Sequence, residues 1–308
     1  MKGQLGLVVL VVLSCQGNGR AESIGLIMNS NDAKYSVAAG TVEGSLKGHT
    51  FKRYSLARLD RKGARSLASK IAKANHKVLV ALGDKAVFVV KKYLPGTPMV
   101  FGLAHNWQAL NVDRKKATGV ATNMEPETMV SQIKMFFPER KRVGVIYTKK
   151  SRHYVERAMT KAALLKMTIL PIFMSEGAEF NDLFENLAKQ VSIYWLVQDP
   201  ALITADNMHT VMEESVRRKM VTVCSSAKLV KAGLTMSITM DPGRVGRQLA
   251  GVVKKILDGT SPGGIKVASP DQAQISLNKE HIKQFKIKID PMLLDFVVLV
   301  KPIKKPGK

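Results

Sequence analysis

The sequence predicts an α/β protein made of two lobes, each a doubly wound parallel sheet, joined by a hinge. Three observations carry that expectation. Short apolar runs alternate with longer stretches whose apolar residues recur at helical spacing, the pattern of strands covered by helices on both faces. The alternation occurs in two sets that divide near Asn123. The chain has 308 residues, 45% of them apolar, which is enough for about two domains with buried cores and too apolar for wholesale disorder.

The first segment sets the compartment. Met1 and Lys2 give a short basic start, and residues 5–13 are apolar except for Gly6. This reads as an export signal, because it falls far short of the ~20 apolar residues a bilayer span needs. The run ends in Val12-Leu13-Ser14-Cys15, which resembles a bacterial lipobox with Cys15 as the acylated first residue of the mature chain. A competing cut follows Gly19-Arg20-Ala21. The removed segment is therefore 1–21, or 1–14 in the lipoprotein case. Either cut places the mature chain outside the cytoplasm, in the periplasm or its equivalent.

From Ser23 onward, strands are expected at 24–28, 50–54, 78–82, 99–102 and 118–121. A helix over 60–74 carries Leu67, Ala68, Ile71 and Ala74 at helical spacing, and another over 85–93 follows a Gly83-Asp84 turn. The second set has strands at 143–147, 168–173, 193–197, 221–224 and 234–238, with helices near 128–137, 152–166, 181–190 and 206–219. After an Asp290-Pro291 turn, the apolar run 293–300 suggests a last strand before a basic tail, 301–308.

Open parallel sheets bind ligands beyond the carboxyl ends of their strands, where loops and helix N-termini converge. With two lobes that place is a cleft between them, and the loops in question are 29–32, 83–85, 103–107, 148–151, 198–200 and 225–227. The candidate ligand-binding residues are Asn29, Asp32, Gly83, Asp84, His105, Trp107, Asp199, Ser225 and Ser226. Asp199 either accepts hydrogen bonds from a ligand ammonium or opens the Pro200 turn. Trp107 is placed to stack on a planar ligand, whereas Trp195 falls inside a buried strand and belongs to the core. His105 has no nucleophile or acid paired to it by a motif, so it is a loop residue and not a catalytic base. Ser225 and Ser226 either donate to an anionic group or serve as ordinary N-caps.

Other chemistries are excluded. Cys15 and Cys224 are the only cysteines, too few for a disulfide framework or a cysteine-based zinc cluster. The histidines at 49, 76, 105, 153, 209 and 281 include no i, i+4 pair, so no metal site is written on a helix. A nucleophile elbow, a P-loop and a dinucleotide glycine fingerprint are all missing, so no cofactor is expected and an enzyme is the last of the readings. The net charge of +24 predicts attraction to anionic surfaces. Its basic groups, at 114–116, 140–142, 149–150, 217–219 and 301–308, read first as solvated faces and second as contacts for acidic envelope components or lipid headgroups. They lack interleaved stacking aromatics, and with export this argues against nucleic acid as a partner.

Several segments then resemble one family in collinear order: 78–83, 97–102, 118–120, the Phe137-Pro138 step leading into 141–147, and 241–257. They are similar to the extracytoplasmic substrate-binding proteins of ABC transporters, in the group that includes bacterial tryptophan and tyrosine uptake components. The resemblance extends from about residue 24 to 289. It implies a type I periplasmic-binding-protein fold whose chain crosses between the lobes three times. By that analogy the first lobe is 23–122 plus about 241–262, and the second is 123–240 plus about 263–300. It also implies a monomer that closes on a small molecule and presents it to ABC permease subunits. A sensing or envelope-assembly role without transport is the alternative, and an enzyme using the same cleft stands behind both. Two departures bear on the ligand. Gly83-Asp84 stands where the family has Gly-Thr, and Ala104-His105-Asn106-Trp107 stands where it has Asp-Pro. With acids at Asp84 and Asp199, the cleft is expected to favour a cationic or neutral polar ligand that stacks on Trp107.

Overall fold

The computed structural model describes residues 21–105 and 107–303. Cys15 with residues 1–20, Asn106, and residues 304–308 of the basic tail lie outside the described residues.

The first sheet is built from β1 (Ser23–Met28), β2 (Thr50–Ser55), β3 (Val78–Leu82), β4 (Met99–Gly102) and β5 (Ala117–Gly119). Its order is β2-β1-β3-β4-β5 and every pair is parallel. The central strand β3, Val-Leu-Val-Ala-Leu, is buried throughout because both faces are covered, whereas the edge strand β2 carries Lys52 and Arg53. The connections are α1 (Ala33–Ser45), α2 (Arg61–Lys73) and α3 (Asp84–Tyr93). Asp60 starts α2 by accepting from the Gly63 N–H at 2.7 Å. One face packs on α2 and α3 through Ala68, Ile71, Val87 and Val90.

The second sheet begins with α4 (Pro126–Phe136), β6 (Arg142–Tyr147), α5 (Arg152–Leu164), β7 (Thr168–Phe173) and α6 (Phe180–Ala188). It continues through β8 (Ile193–Trp195), α7 (Ala205–Arg218), β9 (Val221–Cys224), α8 (Ala227–Ala232) and β10 (Met236–Met240). The chain then returns to the first sheet as α9 (Pro242–Leu257), whose Val245, Leu249 and Val253 join Ala38, Val42, Val80 and Val100 on the remaining face. The α1–α9 crossing is close: a Cβ on Gly246 would sit 2.7 Å from the Ala38 carbonyl oxygen and 2.8 Å from Thr41 Cβ. After a 3-10 turn at Pro262–Gly264, the second sheet is completed by β11 (Ala273–Asn278), α10 (Lys279–Gln284), α11 (Pro291–Leu294) and β12 (Val297–Val300). Its order is β12-β11-β10-β9-β8-β6-β7.

The second sheet departs from an all-parallel arrangement at one pair, since β10 and β11 are antiparallel. Geometry dictates this. The chain re-enters the second lobe beside Met240, where β10 ends, so the next strand must run back along it. Helix α1 was not read in the sequence, and the run 293–300 divides between α11 and β12 instead of forming one strand. The third strand of the second set stops at Trp195, two residues early, because the chain turns there toward Asp199.

Three segments cross between the sheets. The first and third run side by side: Val120 forms a parallel bridge with Ala268, and the Ala121 N–H donates to the Ala268 carbonyl at 2.8 Å. Ser269 donates to Glu125 at 2.5 Å, and Glu125 and Glu127 both accept from Arg157 on α5. In the middle crossing, Asp241 accepts from the Arg244 N–H at 2.9 Å and Pro242 opens α9.

Candidate functional site: the cleft between the lobes

Strand order in the second sheet reverses between β6 and β8, and the loops after β6, β8 and β9 meet there as doubly wound topology requires. A cleft of about 610 Å³ lies against these loops, within the range of small-molecule sites. Its second-lobe wall contains Ser151, Tyr154, Trp195, Asp199, Ser225 and Ser226. Lys34 and His105 line it from the first lobe, and Thr122 to Met124, with Met240 and Pro242, line it from two of the crossings.

Asp199 organises the second-lobe wall. It is 1% exposed. Its Oδ2 accepts from Thr148 Oγ1 at 2.6 Å and from Ser151 Oγ at 2.8 Å, and its Oδ1 accepts from the Ala201 N–H at 3.1 Å. The carboxylate thus fixes the loop after β6 to the turn after β8. Of the two roles expected of Asp199, the Pro200 turn is held by its bond to the Ala201 N–H, and the residue also lines the cleft.

Tyr154 donates its hydroxyl to the Met124 carbonyl at 2.9 Å, tying α5 to the first crossing. Burial first, then the charges of Glu125 and Glu127, raise its pKa well above the ordinary tyrosine value, so the hydroxyl stays neutral. Its ring lies 5.7 Å from that of Trp195. Trp195 is fully buried, as expected of a core residue, yet it also forms part of the cleft wall, and its Nε1 has no hydrogen-bond partner. Cys224, just before Ser225, is a buried thiol whose pKa burial pushes up to about 12, which makes it unreactive.

On the first-lobe side the candidates separate. His105 lines the cleft, and burial together with Lys34 lowers its pKa against the opposing pull of Asp84, leaving the imidazole neutral at pH 7. Asn29, Asp32, Gly83, Asp84 and Trp107 are not among the lining residues. Asn29 Oδ1 accepts from the Lys85 N–H at 2.9 Å and so starts α3. Gly83 has φ +99°, and a Cβ there would lie 2.6 Å from that of Asn29. Asp32 is the N-cap position of α1. Asp84 sits in the first turn of α3, where its charge acts on Tyr35 and His105. Trp107 stacks on Phe101 at 5.0 Å with 28° between the planes, and the Arg114 guanidinium lies 5.9 Å from the same ring. Its ring is therefore packed within the first lobe.

Three lysines in the cleft lining were not among the candidate ligand-binding residues: Lys34 from the first lobe, Lys150, read only as part of a basic pair, and Lys228 from the second. Each sits within two residues of a strand-end loop or inside one, but nothing in the sequence separates them from the many solvated lysines. They change the electrostatics. The expectation of a cationic or neutral polar ligand rested on Asp84 and Asp199, and of these one is absent from the lining and the other already accepts three hydrogen bonds. Among the described residues no group of three His, Cys, Asp or Glu side chains could hold a metal ion.

Two parallel-dominated sheets that face one cleft, with the chain passing three times between them, define the two-lobed fold of type I periplasmic binding proteins. The family model for the ABC transporter substrate binding protein matches residues 25–300, and the chain belongs to that family, a class of binding proteins and not of enzymes. A Tyrosine-binding protein from Clostridioides difficile (strain R20291) is 20% identical over 230 residues. That match covers 71% of this chain and 65% of the relative, a little under two thirds of its length. Among solved structures, the ligand-free, open structure of a substrate binding protein with adhesive properties from Clostridium difficile gives a TM-score of 0.73 at 16% identity, covering 92% of this chain and 100% of that one. The ABC domain in complex with L-Trp from Streptococcus pneumonia gives 0.56, also at 16% identity, covering 91% and 99%. At such identities these structural likenesses establish the fold.

Proposed function

We propose that this protein works outside the cytoplasm as a monomeric solute-binding protein, closing its lobes on a small molecule and presenting it to an ABC permease. The observation that carries the reading is the composition of the cleft, whose opposed walls come from different lobes and whose base is formed by the crossing segments. A ligand that touches both walls favours the closed form by the difference in its contacts between the two states. Lys34 on one wall and Lys150 and Lys228 on the other support a ligand with an anionic group, and Met124, Tyr154 and Ile238 support an apolar or aromatic body. Without a ligand, the like charges of the lysines oppose closure, and an anion between them removes that opposition. A carboxylate-bearing molecule the size of the tyrosine and L-Trp named for the relatives meets these demands. Acylation of Cys15 belongs to the same reading, as the anchor that keeps the protein near its permease.

The test is native mass spectrometry of the protein purified from its producing cells, followed by calorimetric titration with whatever small molecule it carries. An anionic or zwitterionic ligand whose affinity falls about tenfold in Lys34→Ala and in Lys228→Ala is the expected result. A tightly held cationic ligand indifferent to both substitutions would overturn the assignment of the lysines. For the anchor, Cys15→Ser is expected to abolish incorporation of a clickable fatty acid.

A further inference from the structure

The end of the described chain forms a strap across the second lobe, and its two sides differ in kind. Ile287, Ile289, Leu293 and Val297 pack against the second-lobe core, and Val300 is buried within it. The residues between them face outward. Lys286, Lys288, Met292, Leu294, Phe296, Val298, Leu299, Lys301 and Ile303 are all exposed. Met292 is 77%, Phe296 74% and Ile303 73% exposed, three of the four highest values among the exposed large apolar residues of the described chain. Isolated exposed apolar residues need no explanation, but six within twelve positions form a patch.

The strap needs an occupant that accepts large apolar side chains and lysines together. From 279 to 308 the sequence has eight lysines against three acids, Glu280, Asp290 and Asp295. Asp290 accepts from the Met292 N–H at 2.9 Å, so its carboxylate caps α11. A second copy of this chain is a poor match, because it would bring two molecules of charge +24 together through basic surfaces. Strand β12 is also a guarded edge, followed directly by Lys301 and Pro302. Aromatic and aliphatic side chains flanked by lysines suit the headgroup layer of an anionic bilayer, where apolar groups enter the acyl boundary and ammonium groups stay among the phosphates.

We propose that the outer face of 286–303 is a peripheral membrane-binding surface selective for anionic lipid. The location gives it a use. Val297 pairs with Ile275, and Ile275 follows Gln274, which lines the cleft. Phe296, next to Val297, therefore lies toward the cleft end of the second lobe, and docking through it keeps the cleft close to the bilayer. This surface is independent of Cys15: acylation tethers the chain, and the strap orients it.

The experiment is vesicle co-sedimentation of the full chain carrying Cys15→Ser in every arm, so that no acyl group contributes and the N-terminal apolar run is common to all. Vesicles of phosphatidylcholine alone are compared with vesicles containing phosphatidylglycerol. Binding at least tenfold stronger to the anionic vesicles, weakened by salt, is expected. Met292→Ser combined with Phe296→Ser should reduce it about tenfold, and Lys286→Glu combined with Lys288→Glu should remove the preference for anionic lipid. All these side chains are exposed, and an unchanged thermal unfolding midpoint confirms that the variants fold. Equal binding by wild type and both double variants would overturn the proposal. So would a concentration-dependent dimer in sedimentation velocity that Phe296→Ser dissolves, since the patch would then be covered by a second copy.

Discussion

Asp199 holds a loop, a turn and a wall of the cleft with one carboxylate. Asp199→Ala strands the Thr148 and Ser151 hydroxyls and the Ala201 N–H without that acceptor, and an unsatisfied buried group costs about 1–3 kcal/mol. A loss near 3 kcal/mol is expected in urea unfolding. Asp199→Asn should lose less, because the two hydroxyls can rotate to accept from the amide. Buried histidines make a second residue-scale prediction. Burial lowers the His281 pKa to about 4, and burial together with Lys52 lowers that of His76. Their folded pKa values lie below the unfolded value of about 6.5, so the unfolded chain binds more protons as pH falls between 6.5 and 4. Stability is fully present above pH 6.5 and declines through that window, by roughly 3 kcal/mol for His281. Urea midpoints measured from pH 7 to 4 should fall less steeply in His281→Gln. The loop holding Asp199 was legible as cleft from strand ends alone, but its hydroxyl partners were not, since they come from a loop some fifty residues earlier. Trp195 was legible as core and not as wall, because periodicity reports burial and a narrow cleft buries its walls too.

At the scale of elements, α9 offers an internal comparison. A Cβ on Gly246 would strike the Ala38 carbonyl oxygen and Thr41, whereas one on Gly251 would meet nothing within 4 Å. Gly246→Ala is expected to destabilise by about 1–3 kcal/mol through overpacking of the α1 crossing. Gly251→Ala, exposed on the same helix, should stabilise by about 0.5–1 kcal/mol through helix propensity. Thermal unfolding of the two variants should shift in opposite directions. The same crossing explains why α1 escaped the sequence reading. Its buried residues, Tyr35, Ala38, Ala39 and Val42, keep helical spacing, but two are alanines and the segment is interrupted by Gly40 and exposed Val37. The small residues are there to admit α9, a partner invisible to any local window. Strand β11 was missed although Ala-Gln-Ile-Ser-Leu-Asn alternates apolar and polar residues with the period of a strand, and its direction depends on where the chain re-enters the lobe.

For the whole molecule, closure should couple to stability. A ligand bound between the lobes raises the unfolding temperature according to RT ln(1 + [L]/Kd), and it should also reduce the radius of gyration. Small-angle scattering with and without the carried ligand tests this, and a thermal shift without compaction would mean that binding engages one lobe only. The order in which the chain is made adds a different consequence. Strands β1 to β5 with α1 to α3 come first, but the face holding Ile24, Val80 and Val100 is covered by α1 only in part, and α9, residues 242–257, completes the cover. Five of the seven strands of the second sheet are synthesised before that cover exists. The half of the protein made first is therefore among the last to be finished, and until α9 arrives it presents an apolar sheet face to its surroundings. Such long-range closure slows folding and exposes the nascent chain to wrong partners. A chain ended anywhere before Leu257 would not yield a free first lobe; it would yield one permanently waiting for its lid of valines and leucine.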